Sequence, residues 1–431
     1  MHNLANTAKL VIVLALVAAC GGSHGEDAGL DGAATDGAAI DAGDAGTNTD
    51  DAAGDGTATD AEPGCNALDF SAFDDTIASF VAAKSLRGAS VAVVHRECGV
   101  VHTRGYGAFS ADRVYLMASS SKIVSTGVLM RLADQQLLDL DAPVGSYLGA
   151  WGPNGKPELL VAQMLSNSSG LVGLVDRPLY APYACQFKEG GTLADCARAI
   201  YTAADASDRV PPDTEFHYGG GQWQLAGGIA EAVSGKPWAD LLAETYAACG
   251  VPSLGYTNQF TKATLAGSPL GYPRFFDGNV ATLPVTSNPN VEGGMFINAG
   301  DYGKILLMHL RGGVCEGGRV LSEKAVERMR ADRILAVYGG STQGQTGRFA
   351  GGSGANADGG APSPILDGYG LGWWIDRTHP GVIADPGLYG AFPWLDLEGG
   401  YGAIIAIEAD GDTGAQLFAA AKPALDRAFS R

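Results

Sequence analysis

The sequence predicts an α+β fold, an antiparallel sheet flanked by helices, with a mostly helical second lobe. Three observations lead there. Two β-branched runs separated by a short polar turn stand near the start of the folded part, at about 89–95 and 99–106. Helical periodicity then dominates from about 150 to 280, and strand-like runs return in the last third before a final helix. A chain that leaves a sheet and later returns to finish it is an α+β order, with the helical insertion forming the second lobe. About 366 residues follow Cys65, more than one compact domain usually needs, so two lobes are expected within 65–431.

Each element has its own signal. Phe70, Phe73, Ile77 and Val81 recur at intervals of three and four, which predicts a first amphipathic helix. The runs on either side of Arg96-Glu97-Cys98 form a hairpin. Val124, Val128 and Leu132 place an apolar stripe on a helix that begins near Ser119 and ends before Asp139. Leu225, Ile229 and Val233 share one face of a helix stopped by Ser234-Gly235. Strands follow at 372–376, 388–395 and 403–408, then a helix over 415–429. No internal repeat is visible.

The start of the chain reads as an address rather than a fold. Lys9 precedes the apolar run 10–19, which stops at Val17-Ala18-Ala19-Cys20, so 1–20 is an export signal and not a transmembrane helix. Its ending resembles a bacterial lipoprotein signal, which implies cleavage before Cys20 and acylation of that cysteine, a membrane partner reached through a lipid anchor. Gly21 and Gly22 follow, with no Asp at the sorting position, so the same resemblance implies the outer membrane. From 21 to 64 the chain carries nine Asp, two Glu and no Lys or Arg among Ala, Gly and Thr, a composition that cannot bury a core and predicts a disordered spacer. Its root-mean-square reach is roughly 35 to 40 Å.

The formal net charge of −19 is concentrated in that spacer, and 65–431 carry 27 basic against 36 acidic side chains. A mildly acidic folded part argues against nucleic acid or anionic lipid as a partner. Cys65, Cys98, Cys185, Cys196, Cys249 and Cys315 make an even set in an exported chain, where disulfides are expected. Spacing leaves their pairing open, although Cys185 and Cys196 bracket a polar loop and look like a local pair. No Cys-x-x-Cys or His-Glu-x-x-His spacing points to a metal site.

One stretch, Ala118-Ser119-Ser120-Ser121-Lys122, carries chemistry. A serine hydroxyl is a poor nucleophile until a neighbouring group takes its proton. Side chains three apart share a helix face, so Ser119 and Lys122 can meet while Ser120 and Ser121 have no such partner. A helix start also favours developing negative charge on the serine oxygen. Lysine serves as a base only if its pKa falls from 10.4, and burial beside a cation or dipole is expected to lower it toward roughly 7 to 8.

Residues 115–122, Tyr-Leu-Met-Ala-Ser-Ser-Ser-Lys, resemble the nucleophile motif of the serine hydrolases that include class C β-lactamases, D,D-peptidases of the penicillin-binding protein type and family VIII carboxylesterases. Leu138 to Val144, Met164 to Leu171, Pro211 to Tyr218, Glu292-Gly293-Gly294-Met295 with Asp301-Tyr302, and Tyr369 to Trp374 extend the likeness from about 75 to 425. The resemblance implies a β-lactamase/D,D-peptidase-like fold, with Ser119 as the acylated nucleophile, Lys122 as its proton-handling partner and Tyr218 as the second base and leaving-group acid. It implies an oxyanion hole from the backbone N–H groups of Ser119 and Leu388, and no metal or organic cofactor.

Two departures qualify the substrate. Family members carry Asn two residues after the tyrosine, whose amide orients the substrate acyl group, where this chain has Gly220 in Tyr218-Gly219-Gly220-Gly221; the substrate-binding candidates are Gly220, Gln222, Asp385 and Gly387. Gln222 either reaches the same space or faces solvent. The family's Lys/His-x-Gly triad has two candidates, His379-Pro380-Gly381, which reads as a hairpin turn, and Asp385-Pro386-Gly387, which has the better downstream spacing. With Asp385 there, a carboxylate replaces a cation at the mouth of the site and disfavours carboxylate substrates. The expectation is a monomeric serine hydrolase of small neutral or cationic esters and amides. A β-lactamase or D,D-peptidase is the alternative, and a non-catalytic binding protein is the alternative of another class. The segment 174–210, with its Cys185 and Cys196, either rims the site or is a stapled surface loop.

Overall fold

The computed structural model describes residues 65–152, 154–177, 180–265, 271–342, 366–379 and 381–430. The expected signal, Cys20 and the acidic spacer lie outside them, as does Pro380. Helix α1 (Ser71–Ala83) leads into the hairpin β1 (Gly88–His95) and β2 (Gly99–Gly107), then β3 (Val114–Leu116) and helix α2 (Lys122–Asp134). The insertion runs through α3 (Gly145–Leu148), α4 (Val161–Leu165), α5 (Leu193–Tyr201), α6 (Gly221–Ser234), α7 (Trp238–Tyr246), β4 (Gly255–Tyr256) and α8 (Phe260–Leu265). After β5 (Met295–Asn298) and α9 (Ala299–Leu310) come β6 (Val314–Cys315), β7 (Gly318–Arg319), α10 (Glu323–Arg330) and α11 (Arg333–Tyr338). Strands β8 (Leu366–Tyr369), β9 (Trp374–Asp376), β10 (Val382–Ala384), β11 (Phe392–Asp396) and β12 (Tyr401–Ile407) precede the closing helix α12 (Gly411–Phe429).

The described residues form a seven-stranded antiparallel sheet in the order β2-β1-β12-β11-β10-β9-β8. The late strand β12 pairs with β1, from Ala89 opposite Ile407 to His95 opposite Tyr401, so the chain does return to complete its first sheet. Side chains of a strand alternate between faces, and both faces of β1 and β12 are covered. Ala89, Val91 and Val93 with Ala403, Ile405 and Ile407 face Phe73, Ile77, Leu417 and Phe418 of α1 and α12. Ala92 and Val94 with Ile404 and Ala406 face the core that holds α2, α6 and α9. That double burial explains why these strands read as continuous apolar runs.

The structure moves several boundaries. Three-residue β10 gives too short a pattern to detect, and the predicted strand 388–395 begins at Phe392 because the chain first turns at Gly390, φ +93°, where a Cβ would meet Ile407 Cγ1 at 2.5 Å. The predicted 372–376 strand is Trp374–Asp376, paired with the unpredicted β8. Helix α12 starts earlier than expected because the Asp410 side chain accepts from the Thr413 N–H and caps it. Inside the helical insertion β4 joins β3 and β5 in a second small sheet. Disulfides join Cys65 to Cys98, Cys185 to Cys196 and Cys249 to Cys315.

Candidate active site

Strand β3 delivers the chain to Ser119. Met117 N–H bonds Met295 O of β5 at 2.9 Å, and Ala118 follows in the left-handed region at φ +46°. A non-glycine residue there is strained, and such strain is held only where neighbours fix it. Residues Ala118–Ser121 form a 3-10 turn, so Ser119 stands in that turn rather than in α2 itself. Lys122 Nζ nevertheless reaches Ser119 Oγ, donating to it at 3.2 Å. The other serines hold the turn: Ser120 Oγ donates to Asp385 O at 2.6 Å, and Ser121 Oγ donates to Ala118 O while accepting from Met295 N–H. The spacing therefore separates one serine beside the lysine from two that build its support.

Lys122 is fully buried, and its Nζ also donates to Glu292 O at 3.2 Å and lies 3.7 Å from Glu292 Oε2 and 4.6 Å from the centre of the Tyr218 ring. The expected fall in its pKa does not occur. Burial alone lowers it, but attraction from Tyr218, Glu292 and Asp385 outweighs burial and holds Lys122 above its ordinary 10.5. In place of the cation or dipole expected beside the lysine, folding supplies two carboxyls, Glu292 and Asp385. Burial raises the Tyr218 phenol above 10, opposed by the Lys122 charge and by hydrogen bonds to Ser119 and Lys122. Ser119, Lys122 and Tyr218 thus meet as a unit, with Tyr218 packed among Phe216, Tyr369 and Trp374.

A polar turn positions Tyr218. Asn167 Oδ1 accepts from Gly219 N–H at 3.0 Å, from Trp223 Nε1 at 2.9 Å and from Gln222 Nε2. Gln222 is fully buried: Nε2 also donates to the carbonyls of His217 and Gly219, and Oε1 accepts from Ser169 Oγ. This corrects its assignment as a substrate-binding residue, because its amide is committed to holding the turn. Gly220 is corrected too, since its N–H donates to Glu292 Oε2 at 2.8 Å and is not offered to a substrate. Glu292 and Asn167 lie within family-like stretches, but their roles come from long-range contacts that form only once the turn closes on them.

The competing third-motif segments separate cleanly. His379 sits in the turn between β9 and β10, largely exposed and 3.2 Å from Asp376. Asp385 follows β10 and lies beneath the nucleophile turn, but not at the mouth of the site. It is fully buried, and its Oδ2 accepts from Ile123 N–H at 3.2 Å, with a further bond from Lys122 N–H. The expected repulsion of substrate carboxylates from an exposed Asp385 is therefore corrected: the side chain turns inward to cap α2, where backbone N–H groups favour an acceptor. Burial pushes its carboxyl well above the usual range, against Lys122 and these N–H donors. Gly387 packs so closely that a Cβ would lie 2.2 Å from Met117 O, which brings the 387–388 segment against the Ser119 turn; Leu388 packs in the cluster that includes Ala118.

The 174–210 segment touches the site at its start. Leu174 N–H donates to Tyr218 O at 2.8 Å, and Asp176 Oδ2 meets His217 Nδ1 at 2.5 Å. Beyond it Gln186 O accepts from Asn258 and Asn290, and Phe187 meets Phe260 edge-on at 5.4 Å. Through Leu174, Asp176, Gln186 and Phe187 the segment is tied to the site's surroundings, and Cys185–Cys196 staples it.

The family model described as Beta-lactamase matches residues 73–425, and the chain belongs to that family. Penicillin-binding protein 4 of Amycolatopsis lactamdurans is 27% identical over 334 residues, covering 74% of this chain and 78% of the relative. Esterase/beta-lactamase LipL of Mycobacterium tuberculosis is 31% identical over 147 residues, 33% of this chain and 31% of its own length. Among solved structures, EstCE1, a hydrolase with promiscuous acyltransferase activity, superposes with a TM-score of 0.61 at 17% identity over 82% of this chain and 97% of its own. The fold is β-lactamase/D,D-peptidase-like, and the chain's relatives include a penicillin-binding protein and an esterase/beta-lactamase.

Proposed function

We propose that this protein is a serine esterase or amidase that forms an acyl-enzyme on Ser119 and hydrolyses it with water. The observation that carries the reading is the 3.2 Å contact between Lys122 Nζ and Ser119 Oγ beside buried Tyr218. In this reading Ser119 Oγ attacks the substrate carbonyl carbon and its proton passes to the Tyr218 oxygen, in the phenolate form that the adjacent Lys122 ammonium favours, and the phenol returns it to the departing alcohol or amine. Water then attacks the acyl carbon and restores Ser119. The N–H groups of Ser119 and Leu388 serve as the oxyanion hole. Neutral esters are the preferred substrates because the third-motif position holds inward-turned Asp385 in place of a cation that would bind a carboxylate. The likeness to LipL, an esterase/beta-lactamase, supports the ester reading. The name of the Amycolatopsis relative favours a second one, action on penicillins or D,D-peptides.

The test is turnover of short-chain p-nitrophenyl esters and of nitrocefin by the wild type and Ser119→Ala. Ester hydrolysis with an acyl burst, lost in the variant, supports the reading. Nitrocefin turnover without ester turnover selects the second, and neither burst nor turnover marks a binding protein. We also propose that the chain is a monomer exported and held at the outer membrane through lipidated Cys20, with 21–64 as its spacer. Intact-mass measurement of the native protein finding no diacylglycerol on Cys20 would remove the anchor.

A further inference from the structure

Glu292 and the turn after Tyr218 fit each other in a way that neither residue alone explains. Glu292 is almost wholly buried, its Oε2 accepts from Gly220 N–H at 2.8 Å, and the same oxygen stands 3.7 Å from Lys122 Nζ. The approach depends on glycine. At Gly219, φ +70°, a Cβ would lie 2.7 Å from Glu292 Oε2, and at Gly220, φ +87°, it would lie 2.9 Å from Val172 O. The main chain of Glu292 joins in, because its carbonyl accepts from Lys122 Nζ at 3.2 Å. Lys122 Nζ thereby meets one residue twice, through its carbonyl and its carboxyl. The position where related proteins carry a substrate-orienting Asn is occupied here by a glycine whose N–H serves the enzyme's own carboxylate.

We propose that Glu292 is a positioning residue of this site: seated on the Gly220 N–H, it sets the Lys122 side chain between Ser119 Oγ and the Tyr218 ring. Glu292 does not touch substrate; it acts through Lys122. The charged and titratable groups that face Lys122 are Tyr218, Glu292 and Asp385, and Asp385 holds the α2 N–H groups rather than the ammonium. Removing one carboxylate charge from this group therefore shifts the titration of Lys122 and Tyr218 together toward lower pH.

The inference rests on Ser119 being acylated, so labelling of the wild type by a fluorophosphonate probe is measured first in the same preparation. Glu292→Gln keeps the size and the acceptor for Gly220 but removes the charge. With p-nitrophenyl acetate, its kcat–pH profile is expected to move acidward by about one unit, with kcat falling about tenfold or more and KM changing little. Gly219→Ala, which pushes the carboxylate off its seat without altering Glu292, is expected to reproduce that shift. A normal profile in both variants, lowered thermal stability with no profile shift, or failure of both to fold makes Glu292 merely structural and overturns the proposal. Absence of labelling in the wild type counts instead against the hydrolase reading.

Discussion

Asp385 accepts a hydrogen bond from the Ile123 N–H at 3.2 Å across 262 positions of sequence, so the segment after β10 also caps the helix that carries Lys122. Asp385→Ala leaves the first N–H groups of α2 without this acceptor inside the core. A lost cap costs about 1 to 2 kcal/mol, and calorimetry should record a lower Tm. Burial raises the Asp385 carboxyl against the pull of Lys122, and its Oδ2 serves as an acceptor at the helix start. Asp385→Asn, which keeps a neutral acceptor, is therefore expected to fall between the wild type and Ala, and an Asn variant less stable than Ala would contradict the capping role.

Ser119→Ala removes the only one of the three clustered serines whose hydroxyl meets Lys122 Nζ. Ester turnover should fall by at least about a thousandfold, as for other nucleophile deletions. Ser120→Ala instead breaks the 2.6 Å bond to Asp385 O and should lower stability while the fluorophosphonate label is still taken up. Equal activity losses in the two variants would contradict this division of labour.

Tyr218→Phe keeps the ring among Phe216, Tyr369 and Trp374 and deletes only the hydroxyl. Loss of a positioned proton-transfer group lowers kcat by about a hundred- to ten-thousandfold. Circular dichroism and Tm should stay near those of the wild type, and an active Phe variant would exclude Tyr218 from proton transfer.

His217 responds to pH in a predictable direction. Hydrogen bonding and attraction to Asp176, with a contribution from Glu215, raise it above 6.5 despite burial. A raised pKa means stabilisation that is complete below 6.5 and is lost as pH climbs through the folded value. Hydrogen exchange at Leu174, whose N–H bonds Tyr218 O, should therefore gain more between pH 6 and pH 9 than intrinsic exchange allows. His217→Asn should abolish that extra gain, and an unchanged pH dependence would show that the His217–Asp176 contact does not govern this segment.

Local pattern made much of the fold legible. The β1–β2 turn, α1 and the apolar stripe of α2 lie within windows where periodicity of two or of three and four is set by neighbours in sequence. β8, β10 and the small sheet were not legible, because two- to four-residue strands hold too few alternations to mark a period. Gln222 shows the same limit at the site. Its spacing from Tyr218 left it free to face substrate or solvent, whereas contacts with Asn167 and Ser169, more than fifty positions away, turn it inward.

The sequence by itself determined that Ser119 pairs with Lys122, because three residues of a helical turn bring two side chains to one face whatever surrounds them. It also made Cys185 and Cys196 look like a local pair, and the structure joins them across 11 positions. The tertiary structure alone decided the electrostatic state of that pair. Glu292 stands 170 positions from Lys122 and Asp385 stands 262 from Ile123, and charges act through space rather than along the chain. Burial without those carboxyls would have lowered the lysine; with them it is held as a cation against Ser119.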